Sequence, residues 1–501
     1  MAAFQTRLCV LLSVLSVGKV CALESYVAAV YEHAVILPNV SLKPVSPAEA
    51  LSLMNKNMDV LEKAVAGAAA KGAHIIVTPE DGLYGFFFTR ETIYPYLEDI
   101  PDPEVTWNPC TDPKRFGPTP VLERLSCMAK NKSIYVAANM GDKKPCNSTD
   151  VTCPKDGRYQ YNTNVVFDAE GKLVARYHKY NLYSNEKQFD TPKEPQLVTF
   201  NTTFGKFGIF TCYDILFHDP AVALVTNLSV DTVLFPTAWI NVLPYMAAIQ
   251  LHSAWAMGMG VNLLAADTHS TFLHMTGNGI YAPDRPKAYY YNSETEDGRL
   301  VLAEVLSHPR LTSLSSVSWS EYARSIAISS SKSNQFSSPG SWDNVTFTRL
   351  DQAEGNLTTC QTTLCCHLSY KMVKRQDDEL FVLGAYNGLH GSVRKYYIQV
   401  CTLLKCKSIG MDSCGEKTET SVTMFEFFSL SGTFRTSFVF PEVLLSGMQL
   451  APGDFKVLSD GRLVSQSSIS SRPLLSATLF GRWYQKDPPP KENAIKQQCS
   501  V

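Results

Sequence analysis

His74-Ile75-Ile76-Val77-Thr78-Pro79-Glu80 is an apolar run that turns polar at its end. Two later stretches do the same. Ala175-Arg176-Tyr177-His178-Lys179 ends on an ammonium, and Lys206-Phe207-Gly208-Ile209-Phe210-Thr211-Cys212 ends on a thiol. Short apolar runs bounded by turn residues read as buried strands, so each of the three delivers one reactive side chain to a strand end. Around them strands alternate with helices. Ser46-Pro47-Ala48-Glu49 predicts a helix start, with Ser46 as N-cap, Pro47 in the first turn and Glu49 closing a capping box. Leu51, Met54, Met58, Leu61, Val65 and Ala68 follow on one helical face until Gly72 stops the run. Further predicted helices span 119–130, 219–227 and 243–257; further strands span 134–138, 164–167, 173–177, 206–212, 232–237 and 262–266. This alternation over 23–306 predicts an α/β layered domain.

The chain of 501 residues is too long for one ordinary domain. With 45% hydrophobic and 18% charged residues it is globular, and a net charge of −2 carries no nucleic-acid footprint. Residues 1–22 are expected to be a signal peptide: Arg7, an apolar core from Leu8 to Val17, and small residues around Val20-Cys21-Ala22. A Ser-rich linker is expected at 307–343, a smaller β-rich domain at 344–485 and a polar tail at 486–501. Strands in the second domain are predicted at Phe347 and over 380–383, 396–404, 424–430, 434–440 and 477–483. No later run is long enough to span a bilayer, and the tail lacks the hydrophobic stretch of a glycolipid anchor signal. A secreted protein is therefore expected rather than an anchored one.

Seven Asn-x-Ser/Thr sequons, at Asn39, Asn131, Asn147, Asn201, Asn227, Asn344 and Asn356, agree with an extracellular setting. So do the cysteines. Cys110, Cys127, Cys146, Cys153, Cys360, Cys365, Cys366, Cys401, Cys406 and Cys414 suffice for five disulfides, with Cys146 and Cys153 a plausible local pair. Cys212 is left free as a nucleophile and Cys499 is the odd one. No two-plus-two spacing of zinc ligands occurs, and an extracellular chain favours disulfides over a zinc site.

A carboxylate, an ammonium and a thiol suit attack on an amide carbonyl through a thioester. Cys212 would be the nucleophile and Glu80 the general base, later returning the proton to the leaving amine. Lys179 would stabilise the oxyanion together with the backbone N–H of Tyr213. Taken singly, a buried cysteine is more often inert core, and strand-end Glu and Lys are more often solvated. Trp239 ends a strand on the expected pocket side, as substrate contact or as core. His252 and His269 are read as structural, since no Gly-x-Ser-x-Gly nucleophile motif accompanies them.

Pro79-Glu80, His178-Lys179 and Cys212-Tyr213-Asp214 resemble the Glu-Lys-Cys signature of the nitrilase (carbon–nitrogen hydrolase) superfamily. Thr78-Pro79-Glu80-Asp81-Gly82, residues 157–163, Arg176-Tyr177-His178-Lys179-Tyr180-Asn181-Leu182 and Pro236-Thr237-Ala238-Trp239 resemble its vanin/biotinidase branch, and Leu430-Ser431-Gly432-Thr433 extends the likeness into the second domain. The resemblance implies an α-β-β-α sandwich followed by a β-rich, disulfide-containing base domain. It implies hydrolysis of the linear amide of pantetheine to pantothenate and cysteamine, with no cofactor. Biotin-amide hydrolysis is the nearest alternative, and a non-catalytic extracellular binding or adhesion protein the alternative of another class. Glu186 occupies the place where superfamily amidases carry a second glutamate, positioning Lys179 or the substrate amide. Two departures from the superfamily pattern, Tyr213-Asp214 in place of an arginine turn and Asn278 in place of serine, bear on pocket shape. The partner expected is a small-molecule substrate, with no nucleic acid and no transmembrane segment. A monomer is favoured, because the attached domain would cover the face through which nitrilase domains pair.

Overall fold

The computed structural model describes residues 23–39, 43–242, 246–309, 316–326, 335–338, 343–391 and 394–489. The expected signal peptide, most of the polar tail and Cys499 lie outside these residues. The first part contains β1 (Ser25–Ala34), α1 (Pro47–Ala70), β2 (Ile75–Val77), α2 (Pro120–Lys132), β3 (Tyr135–Pro145), β4 (Arg158–Phe167), β5 (Leu173–His178), β6 (Thr199–Thr202) and β7 (Gly205–Ile209). There follow α3 (Ala223–Thr226), β8 (Thr232–Thr237), α4 (Ala248–Met259), β9 (Asn262–His269), β10 (Asn278–Tyr281), β11 (Pro286–Tyr290) and β12 (Arg299–Leu306).

The strands run in the order β5-β4-β3-β2-β1-β9-β8-β7-β6, with β12 on β1 and β10 on β9. The two halves of this path meet through short β1–β9 pairing at His33–Thr268 and Ala34–His269. Side chains of the first half alternate. Ala29, Ile76, Val136 and Val165 pack beneath α1 and α2. Val30, Ile75, Val77, Ala137 and Val166 pack with Phe207, Ile209, Val233 and Leu263 of the second half. A strand's period of two thus gives each sheet two buried faces and the domain its α-β-β-α layers.

Local physics explains where elements begin and end. α1 starts with both arms of the capping box: Glu49 N–H donates to Ser46 Oγ (3.2 Å), and Ser46 N–H donates to the Glu49 carboxylate (2.9 Å). The helix expected over 219–227 is shorter, because Asp219 before Pro220 is extended (φ −107°, ψ 127°), as the residue preceding a proline prefers. The helix expected from 243 begins at Ala248, whose N–H is capped by Asn241 Oδ1 (2.8 Å).

The second part is a sandwich. One antiparallel sheet has the order β13-β14-β17-β18-β24-β20-β21, using β13 (Gln335–Ser337), β14 (Thr346–Arg349), β17 (Phe381–His390), β18 (Tyr396–Lys405), β20 (Val439–Leu445), β21 (Gln449–Leu450) and β24 (Leu474–Arg482). The other has the order β15-β16-β19-β23-β22, using β15 (Glu354–Gln361), β16 (Leu364–Met372), β19 (Phe425–Gly432), β22 (Phe455–Val457) and β23 (Leu463–Ser465). Leu368 and Leu430 meet Leu383, Leu403 and Leu479 in the core between them. The expected strand 434–440 begins only at Val439, and the hairpin β15–β16 had no sequence prediction. The Ser-rich stretch 307–343 is partly structured, holding Glu321–Ser325 as a helical turn and β13, with Trp319 buried in the second core. Disulfides join Cys110–Cys127, Cys146–Cys153, Cys360–Cys365, Cys366–Cys401 and Cys406–Cys414, and Cys366–Cys401 ties β16 to β18 across the sandwich.

Two buried histidines make the fold acid-sensitive. His33 Nε2 bonds Asn57 Oδ1 (2.9 Å), and burial lowers its pKa to about 4. Neither ring nitrogen of His252 has a partner among the described residues, and burial lowers its pKa to about 3. The ordinary value is 6.5, so the unfolded chain binds protons that the folded chain refuses. Stability is therefore lost as pH falls from 6.5 towards these values. His252→Phe is expected to shrink the drop between pH 7 and pH 5 by about 2 kcal/mol, measured as the shift in denaturant midpoint; an unchanged drop contradicts this.

Candidate active site

The three stretches converge at one end of the layered domain. β2 stops at Val77 because Pro79 has no N–H to continue the ladder. Glu80 follows in the turn, 1% exposed, with its backbone carbonyl bonded by the Thr268 hydroxyl. Its Oε1 accepts from Lys179 Nζ (2.7 Å) and Asn162 Nδ2 (2.8 Å), and its Oε2 accepts from Ala238 N–H (3.0 Å) just past β8. Lys179 follows β5 directly and is also 1% exposed. Its backbone N–H donates to Asn162 O (2.8 Å), and its ammonium bonds Glu186 Oε2 (2.5 Å). Glu186 therefore shares the ammonium with Glu80, while Asn162 Nδ2 bridges both carboxylates (2.8 Å to each).

Cys212 opens the helical turn Cys212–Leu216 after β7. It is a free, buried thiol among the described residues, with φ 43°. A non-glycine residue in the left-handed region is held there by its surroundings. Asp214 is the clamp. It accepts from Thr211 N–H (3.0 Å), the Tyr177 hydroxyl (2.7 Å), Asn181 N–H (2.8 Å) and Asn181 Nδ2 (2.7 Å). Tyr177 and Asn181 flank Lys179, so one carboxylate locks the cysteine turn to the lysine strand. Asp214→Ala strands four buried donors at once. It is expected to lower stability by about 2–4 kcal/mol and to cut turnover; unchanged denaturation and kinetics would remove the clamp from the account.

The charges order themselves through burial. Burial raises the Cys212 thiol well above its ordinary range, Glu80 pushes it further, and Lys179 opposes them, so the sulfur rests protonated. Burial works against the Lys179 ammonium, but Glu186 and Glu80 outweigh it and hold its pKa well above the ordinary lysine range. Burial pushes the Asp81 carboxyl well above the ordinary range, and the neighbouring Glu80 and Glu186 push it further. Glu186 is raised by burial, with Lys179 pulling it back.

Glu80, Asp81, Lys179, Glu186, Cys212, Tyr213 and Trp239 line one cavity of about 330 Å³. Trp239 is also core: its indole N–H donates to Met246 O (3.1 Å) and its ring meets His252 edge-on. His252 and His269 stand outside the lining, His269 being held by Glu32 (2.6 Å) and Thr295 O (2.7 Å). The second part of the chain supplies His390, Arg394 and Tyr396 to the same wall. It also grips the cysteine turn. Arg482 Nε donates to Leu216 O (2.7 Å), the Tyr213 hydroxyl donates to Arg394 O (3.1 Å), and the Arg394 guanidinium stacks 4.2 Å over Phe217. Sequence reasoning missed Asn162, Asp214 and these arginines as working parts. Asn162 and Asn164 alternate on the buried face of β4, and two amides where apolar residues belong were the available signal. Asn278 donates to Val30 O (3.2 Å) and Arg299 O (3.1 Å), binding β10 to β1 and β12 at a distance from the cavity lining. All seven sequon asparagines are exposed.

Comparison with known proteins matches residues 50–254 to the carbon–nitrogen hydrolase family and residues 335–487 to the vanin C-terminal domain. The pantetheinase of Bos taurus is 60% identical over 474 residues, covering 95% of this chain and 92% of that one. The pantetheinase of Mus musculus is 60% identical over 475 residues, with the same coverages of 95% and 92%. The biotinidase of Homo sapiens is 43% identical over 493 residues, covering 93% of this chain and 90% of that one.

Proposed function

The chain belongs to the vanin family of carbon–nitrogen hydrolases, and from that premise we propose that it hydrolyses the linear amide of pantetheine to pantothenate and cysteamine. The observation carrying the chemistry is the buried Glu80–Lys179–Glu186 cluster on the wall of the cavity that holds the free Cys212 thiol. Glu80 takes the thiol proton as sulfur attacks the amide carbonyl. The carbonyl π electrons move to oxygen, where the Lys179 ammonium and the Tyr213 N–H stabilise the charge. Collapse breaks the C–N bond, and Glu80 returns the proton to nitrogen, releasing cysteamine. Glu80 then deprotonates a water, which attacks the thioester; pantothenate leaves and sulfur recovers its proton. Glu186 and Asn162 keep the ammonium and the base in register. Because the thiol rests protonated, a base in contact with the site is needed at the start of every turnover.

Five disulfides among the described residues and seven exposed sequons support an extracellular setting, with residues 1–22 as the signal peptide. No helix of the described residues is long and apolar enough to cross a membrane. The deciding experiment offers the protein pantetheine and a biotinyl amide in parallel and counts pantothenate, cysteamine and biotin by mass spectrometry. Pantetheine is expected to be turned over at least about tenfold faster. Preference for the biotin amide assigns the chain to the biotinidase chemistry instead, and no turnover of either leaves the binding or adhesion reading.

A further inference from the structure

The proposed reaction uses one wall of the catalytic cavity and leaves another idle. On the idle wall the second part of the chain places His390, the last residue of β17, with Asp343 and Tyr396. All three border the same space as Cys212. His390 Nδ1 bonds Asp343 Oδ2 (2.5 Å), and its ring meets the Tyr396 ring edge-on at 5.1 Å. A carboxylate on Nδ1 holds a proton there, which leaves Nε2 as the acceptor of the neutral ring. Nε2 has no hydrogen-bond partner among the described residues, and it is not one of the partnerless atoms closed off from surrounding space. The space that His390 borders is the catalytic cavity. Turning the ring away would break the Asp343 bond, so the acceptor is held in place. The Arg394 guanidinium is turned elsewhere, over the Phe217 ring (4.2 Å) and the Tyr180 ring (5.7 Å), and neither ring borders the cavity. This wall therefore suits a neutral donor rather than an anion.

We propose that His390, oriented by Asp343, determines substrate specificity: its Nε2 accepts a hydrogen bond from a hydroxyl group on the acyl half of the substrate. The inference rests on the pantetheine reading and extends it from the reacting atoms to the acyl chain. That chain carries hydroxyl groups, and the terminal one lies about 10 Å from the scissile carbonyl when extended, the reach of three backbone residues. A chain of that length carries a donor well away from the Cys212 thioester. Trp239, Ile240, Met246 and Met275 add apolar surface to the same cavity, which suits the methyl-bearing carbon between the hydroxyls. Such a contact discriminates, because an analogue without the hydroxyl leaves Nε2 stripped of water and unpaired. A pair that only braced the end of β17 would instead affect every amide alike.

The test measures kcat/KM of the full-length protein on pantetheine and on an analogue with hydrogen in place of the acyl-chain hydroxyls. Wild type is expected to favour pantetheine about 30-fold or more. His390→Phe is expected to lose that preference: its kcat/KM on pantetheine falls by about the same factor, while the analogue is cleaved within about threefold of wild type. His390→Leu supplies the same comparison should His390→Phe not fold, and the wild-type preference is read without any variant. Equal wild-type rates on the two substrates, full preference retained in the variant, or equal losses on both substrates would each overturn the inference and leave the reaction standing. Wild type that cleaves neither substrate overturns the pantetheine reading itself, and this inference with it.

Discussion

Cys212→Ala is expected to lower pantetheine hydrolysis about 10⁴-fold or more while the protein folds as before. The change removes a single sulfur from a side chain that is 8% exposed, so the packing loss is about 1 kcal/mol. The left-handed backbone at position 212 persists, because Asp214 and its four donors impose it and alanine keeps the Cβ. What disappears is the atom proposed to form the thioester, and no other free thiol exists among the described residues to replace it. Single-turnover mass spectrometry should show a pantothenoyl adduct on the wild type and none on the variant. Cys212→Ser should be nearly as inactive, since a carboxylate that deprotonates a thiol is too weak a base for a serine hydroxyl. Retained hydrolysis in Cys212→Ala would remove the nucleophile, and with it the proposed chemistry.

Lys179→Met is expected to be inactive and also unstable, for one reason. The ammonium neutralises a pocket in which Glu80 and Glu186 both bond it and Asp81 lies alongside. Removing one partner of a buried ion pair leaves uncompensated charge and costs about 3–5 kcal/mol. The carboxyls respond by binding protons, so their folded pKa values rise above the unfolded ones, the direction burial already gives Glu186. A carboxyl raised in this way stabilises least at high pH: the folded state holds the extra proton, and stability falls as pH climbs past the unfolded value. The deficit of Lys179→Met should therefore be larger at pH 7 than at pH 5. Adding Glu186→Gln removes one of the stranded charges. The double variant should regain part of the thermal stability and none of the turnover, which separates the structural from the catalytic share of Lys179. Recovery of turnover in the double variant, or full stability in the single one, contradicts this account.

The elements that were legible share a property: their signals are local. The capping box of Ser46 and Glu49 spans one turn, and β8 runs over Thr232–Thr237 as its apolar sequence predicts. The three strand-end residues were found because a polar side chain after an apolar run is visible within seven residues. Glu186 was legible through resemblance alone, since a lone carboxylate in a loop carries no signal of its own. Asn162 was harder still. It is uncharged, it sits inside a strand, and its importance lies in donating to Glu80, 82 residues away, and to Glu186. That the second domain caps the pocket was open to a guess, but the contacts by which it grips the cysteine turn were not legible. Arg482 reaches Leu216 across 266 residues, and nothing in either segment announces the other.

Residue type and periodicity alone determined which side chains were available for amide chemistry, which ten cysteines could pair, and that layered α/β structure comes before β structure. Tertiary structure alone decided that Lys179 stands between two carboxylates, that Asp214 bends the Cys212 turn, and that Arg394 and His390 close the cavity from the other domain. The reason is physical. Periodicity follows from the backbone's own geometry over a few residues, whereas a buried charge is tolerable only when partners from distant strands surround it, and those partners are chosen by how whole sheets pack.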